Sequence, residues 1–126
     1  MRAIDTNVLI RLITRNDGGQ TASAEAFVER GAWVSVLALA EATWVLATVY
    51  ERSSKDIARA LEMLLDHQDL VLQDAEAVRA ALDLFQAKPA LGFSDCLMLH
   101  LARKAGHLPL GTFDRHLANA EGAWKL

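Results

Sequence analysis

A chain of 126 residues is the size of one compact domain, and no shift in composition marks a second, so residues 1–126 read as a single domain with a real core. Hydrophobic residues make up 52% of the chain, which leaves apolar surface over for a subunit interface, while a net charge of -3 speaks against a nucleic-acid binder that works by basic surface alone. The single cysteine, Cys96, has no intramolecular partner, and no charged-then-apolar leader precedes the first strand-like residues; the expectation is a reducing cytoplasm.

Strand-like and helix-like patterns alternate, separated by short turns, without repeats or low-complexity stretches. Arg2 to Asp5 reads as a first strand. Thr6 or Asn7 caps a helix with Val8, Leu9, Leu12 and Ile13 on one face, and Asp17-Gly18-Gly19 ends it. A second helix runs from about Ala22 to Arg30. The strand Trp33 to Val36 then opens onto an apolar helix, Leu37 to Tyr50. Ser53 or Ser54 caps the next helix, with Ile57, Ala58, Leu61, Leu64 and Leu65 inward, and Leu70 to Leu72 follows as a strand.

Asp74 caps a helix whose stripe is Val78, Ala81, Leu82 and Phe85, stopping near Pro89. From Ser94 a helix runs to Ala105 with Leu97, Met98, Leu101 and Ala102 inward, closing at Gly106 before the strand Leu108 to Thr112. The tail from Asp114 carries no clear pattern. The whole is an α/β arrangement, a central, mostly parallel sheet of four to five short strands flanked by helices. The apolar run Val34 to Tyr50 is short for a membrane span, and Glu41 at its middle would cost about 2.5 to 3.5 kcal/mol in a bilayer, so the run belongs to a core strand and helix.

Most acids, such as Glu25, Glu29, Asp56, Glu62 and Asp83, fall on polar helix faces. Four do not. Asp5 ends the first strand, where open parallel sheets place ligand sites; its ordinary alternative is a helix cap or Asx turn. Glu41 has only Thr43 as a polar neighbour from Val36 to Leu46, so as a buried carboxylate it needs a cation, a metal or a proton, unless it snorkels to solvent or pairs with an arginine. Asp95 lies in the first turn of its helix, where the dipole alone favours an acid. Asp114 follows the last strand, as turn aspartates commonly do.

Singly none is specific. Together they sit at element ends that one parallel sheet brings to a common edge, as a divalent-cation site requires. Carboxylates without histidine or thiol suit magnesium, and manganese similarly. The chemistry supported is phosphodiester hydrolysis, with metal activating a water and neutralising phosphate charge. Setting four of the 16 acids aside in such a site leaves 12 against 13 Lys and Arg, an outer surface close to neutral.

These residues resemble the PIN domains, and within them the VapC toxins of bacterial toxin–antitoxin pairs. The resemblance covers nearly the whole chain: Ala3-Ile4-Asp5-Thr6-Asn7-Val8-Leu9, Leu39-Ala40-Glu41-Ala42-Thr43-Trp44-Val45-Leu46, Phe93-Ser94-Asp95-Cys96-Leu97 and Gly111-Thr112-Phe113-Asp114. It implies a magnesium-dependent endoribonuclease, the toxin of a type II pair. Asp5, Glu41 and Asp95 match the three central acids and Asp114 the fourth, more variable one. Asn7 and Thr112 match polar positions that support the site. Cys96 and Gly111 depart from the usual residues without removing a ligand. The partners implied are RNA, a cognate antitoxin and a second copy of the chain.

Arg11, Arg15 and Arg115 lie close in sequence to these acids and are candidates for RNA phosphate contacts, with solvated surface charge as the alternative. His67, His100, His107 and His116 have no paired ligand spacing, and Cys96 reads as an inert buried thiol. Trp33, Trp44 and Trp124 read as core or interface residues. Among other functions, a receiver-type signalling module would need an acceptor Asp ending a mid-chain strand, where this chain has the helical Ile57 to Leu65. A haloacid-dehalogenase phosphatase would need Asp-x-Asp where this chain has Asp5-Thr6-Asn7. A PIN fold kept only as a binding partner or regulator remains the other alternative.

Overall fold

Three-residue runs that each close on a buried apolar residue make the first sheet. In the computed structural model, which describes residues 1–126, β1 (Arg2–Ile4), β2 (Ala32–Val34) and β3 (Leu70–Leu72) lie parallel in the order β1-β2-β3, with Ile4, Val34 and Leu72 in register. Side chains alternate across the strands. Ile4, Ala32, Val34, Leu70 and Leu72 are buried, while the adjacent row Ala3, Trp33 and Val71 is exposed.

Each early helix starts on a short polar side chain that satisfies a free backbone N–H. Asp5 caps α1 (Thr6–Thr14), Asp17 caps α2 (Gly18–Val28), Ser35 caps α3 (Val36–Thr48) and Ser53 caps α4 (Ser54–Asp66). α1 buries Leu9, Ile10 and Leu12 and packs on both α2 and α3; α4 packs on α3 and β3. Met1–Ala75 forms one compact unit with these elements and Glu76–Leu126 a second.

The second unit is built on α5 (Ala75–Ala87), from its second residue onward, and α6 (Phe93–Ala105), then β4 (Leu110–Thr112), a 3-10 turn (Leu117–Asn119) and β5 (Ala123–Lys125). The predicted stripe Val78, Ala81, Leu82 and Phe85 is buried, and the Phe85 ring meets Phe93 edge-on with centroids 6.1 Å apart. β4 and β5 pair in parallel as a separate ladder, Thr112 opposite Lys125. The strands are thus short and parallel as expected, but hydrogen bonding divides them into a three-stranded and a two-stranded sheet.

Several boundaries differ from the sequence expectation. Asp5, and not Thr6 or Asn7, caps α1. The Asp17-Gly18-Gly19 segment starts α2 instead of only ending α1, because α1 has already closed at Arg15 in the left-handed region at φ 55. β2 stops at Val34, since Ser35 turns to cap α3. α6 begins at Phe93 after Gly92, so Ser94 lies within the helix and does not cap it. Met98, expected inward, is 51% exposed; the buried face is Phe93, Cys96, Leu97 and Leu99. Beyond Asp114 the chain, expected to lack pattern, forms the 3-10 turn and β5. Gly122 turns between them at φ 94, where a Cβ would come within 2.9 Å of the Arg103 guanidinium.

No helix is long and apolar enough to cross a membrane.

Candidate active site

Within the first unit, β1 delivers Asp5 at its carboxyl end and α1 fixes it. Its Oδ1 accepts the Val8 N–H at 3.1 Å, and the residue is exposed. The cap engages one carboxylate oxygen, so capping leaves the charge available for a second task. Glu41 lies mid-way along α3. Of the readings the sequence leaves for it, a buried carboxylate or one that reaches solvent, the structure overturns the first: Ala38, Leu39, Ala42 and Leu46 make the buried face, whereas Glu41 shares an exposed strip with Leu37 and Trp44. Glu41 is thus open to solvent.

Asn7 is exposed and lines the same cleft as Asp5, a hollow of about 410 Å³ that also includes Arg11. Arg11 is held by three neutral acceptors: its Nε donates to Gln20 Oε1, and its Nη1 to Asn16 Oδ1 and Tyr50 Oη, both at 3.2 Å. That hydrogen bond from Arg11 is the first cause of the Tyr50 hydroxyl lying below its ordinary pKa. Arg15 is engaged differently, in an exposed ion pair with Glu25. Phe27 also lines the cleft, with the Arg2 guanidinium 3.8 Å from its ring centroid.

In the second unit, Asp95 occupies the first turn of α6 and is half-buried. Burial, and after it the negative charge of Asp114, hold its carboxyl above the ordinary carboxylate range. Asp114 is exposed just beyond β4. Its Oδ1 accepts the N–H groups of His116 and Leu117, each at 2.8 Å. The Leu117 bond is the largest cause that holds its carboxyl below the ordinary range; the His116 bond and the charges of His116 and Lys125 act the same way, and burial opposes them. Thr112 Oγ1 accepts the Asp114 N–H at 3.0 Å, so Thr112 fixes the backbone that presents the acid. Arg115 lines a hollow with Phe113, Asp114 and His116.

The structure therefore brings Asp95 and Asp114 into electrostatic reach of one another and Asp5 beside Asn7 and Arg11. Within neither unit do three or more His, Cys, Asp or Glu side chains come close enough together to hold a metal ion. The donors do fit one chemically. They are hard carboxylate oxygens, and the Asp95–Asp114 repulsion is what a divalent cation relieves. Tyr50, Gln20 and Phe27 escaped the sequence reading; Tyr50 lies 39 residues from Arg11, and nothing local in the sequence signals that pairing.

Parallel strands joined through helices, with acids just past the carboxyl ends of β1 and β4, define an α/β protein with a carboxylate-bearing edge in each unit. Residues 3–123 match the PIN domain family, and the chain belongs to it. PIN domains are typically nucleases that act on nucleic acid and generally use divalent metal ions. No curated protein and no solved structure gives a significant match.

Proposed function

We propose that the protein is a magnesium-dependent endoribonuclease of the VapC toxin type, manganese serving in place of magnesium, and that Asp5, Glu41, Asp95 and Asp114 form its metal-binding catalytic set. The observation that carries this reading is family membership across residues 3–123, a span that contains all four acids. The same span supports reading residues 1–126 as one domain. When bound, a divalent cation supplies water activation and neutralises charge on the phosphate. The carboxylates hold it. Thr112 steadies Asp114 through its backbone, and Arg11, ordered but not neutralised by its partners, meets a phosphate oxygen.

The toxin role brings with it a cognate antitoxin, a homodimer and a cytoplasmic location. Support for partner surfaces comes from large apolar side chains left in solvent, among them Leu37 at 72%, Trp44 at 63% and Val49 at 66% exposed on and just after α3. The test is incubation of the purified, antitoxin-free protein with total cellular RNA, in magnesium or manganese and in EDTA, beside Asp5→Asn. Discrete metal-dependent fragments that vanish in the variant are expected. Intact RNA with both metals, from a folded protein, overturns the catalytic reading in favour of a non-catalytic regulator.

A further inference from the structure

The cleft beside Asp5 has walls unlike those of an ion site. At about 410 Å³ it falls in the range of small-ligand pockets, roughly 300–1,000 Å³. One wall is apolar, with Val8 of α1 and Phe27 of α2; another is polar, with Arg11, Gln20 and Ser23. We propose that this cleft binds one unstacked nucleotide of the RNA strand next to the phosphate being cut, its base against Phe27 and its phosphate at Arg11. The inference rests on the nuclease reading above.

Arg11 suits an anion because its acceptors are neutral. Gln20, Asn16 and Tyr50 come from three separate segments and fix the guanidinium without cancelling its charge. Arg15, one turn further on, is paired with Glu25 and makes the weaker candidate. Gln20 is set for a base edge. Its Oε1 is taken by Arg11, which leaves its amide NH₂ to donate to a ring nitrogen or carbonyl. Phe27 is half-buried, and its position is fixed from one side, since Arg2 both lies over the ring and donates to the Phe27 carbonyl at 3.3 Å. A fixed aromatic ring beside an amide donor and a cation is the combination by which proteins take single-stranded RNA bases. A bare phosphate would use Arg11 alone and leave the apolar wall wet.

The test is an amide-resolved NMR titration of the whole chain in EDTA, with each of the four ribonucleoside 5′-monophosphates and with inorganic phosphate. Saturable shifts at Asn7, Gln20, Ser23 and Phe27 are expected with at least one nucleotide, and far smaller ones with phosphate. Ser23 is exposed, so Ser23→Trp fills the cleft at little risk to folding and is expected to abolish nucleotide binding. Gln20→Ala is expected to weaken binding about five-fold. On RNA, both variants are expected to raise KM with kcat held. RNA cleavage by the parent with KM unchanged in Ser23→Trp, or nucleotide shifts absent from these amides, overturns the cleft and leaves the nuclease intact. Nucleotide binding here by a protein that cuts no RNA keeps the cleft as a nucleotide site and overturns the nuclease.

Discussion

Asp95 and Asp114 titrate in opposite senses although they share one neighbourhood. Asp95 is pushed up, by burial first and by the charge of Asp114 second, while two backbone N–H groups hold Asp114 down. Replacing Asp114 with Asn removes the second influence on Asp95 and keeps the first. Carboxyl-carbon NMR titration is expected to show the Asp95 midpoint moving down in Asp114→Asn while remaining above an ordinary aspartate. An unmoved midpoint would mean that the two charges do not meet.

The sign for stability follows from linkage. Asp114, lowered in the folded chain, contributes stability above the ordinary aspartate pKa that is lost as pH falls through its folded value. Asp95, raised, favours the folded state while protonated and loses that preference as pH rises from the ordinary aspartate range through its folded value. Asp95→Asn is therefore expected to be more stable than the parent above that window and indistinguishable from it well below. Thermal melts without metal across the acid range check this; a variant less stable than the parent at neutral pH would contradict it.

Cys96 stands next to Asp95 but inside the protein, with no exposed surface. Burial, with the Asp95 charge behind it, pushes its thiol up to about 11. The thiolate is the reactive form, so the folded protein is expected to resist iodoacetamide near neutral pH and to be fully labelled in denaturant, as read by intact mass. Rapid labelling of the folded chain would show that α6 opens at its first turn.

The helices were legible where apolar spacing and caps agreed. Ile57, Ala58, Leu61 and Leu64 are all buried, and Ser53 caps their helix as expected. The start of α2 was hidden, because Asp17-Gly18-Gly19 has the composition of a turn, and only structure reveals that Asp17 Oδ1 accepts the Gln20 N–H at 2.9 Å. Glu41 was ambiguous for a related reason. α3 has apolar residues on both its buried and exposed faces, so periodicity does not say which way an acid points. Asp5, Asp95 and Asp114 stand at their expected element ends, since junction positions are set by local pattern. The cleft around Arg11 was invisible, because its walls come from segments whose pairing depends on packing.

Metal affinity separates the proposed ligand set from a merely electrostatic pair. Anything that binds only the folded state raises its stability, by about 2.7 kcal/mol at a hundred-fold excess over Kd. Magnesium or manganese is expected to raise the melting temperature of the parent, EDTA to reverse it, and Asp95→Asn to respond much less. An equal rise in both proteins would remove Asp95 from the set.

Asp5 carries two tasks that substitution can separate. Asn is as good an N-cap as Asp, so Asp5→Asn is expected to keep the bond to the Val8 N–H and the stability of α1 while losing the negative charge. Asp5→Ala loses the cap as well, at a cost of about 1 kcal/mol. Denaturant melts should therefore place Asp5→Asn beside the parent and Asp5→Ala below it, while RNA cleavage falls at least a hundred-fold in both. Cleavage that tracked stability, surviving in Asn and falling only in Ala, would make Asp5 a helix cap and nothing more.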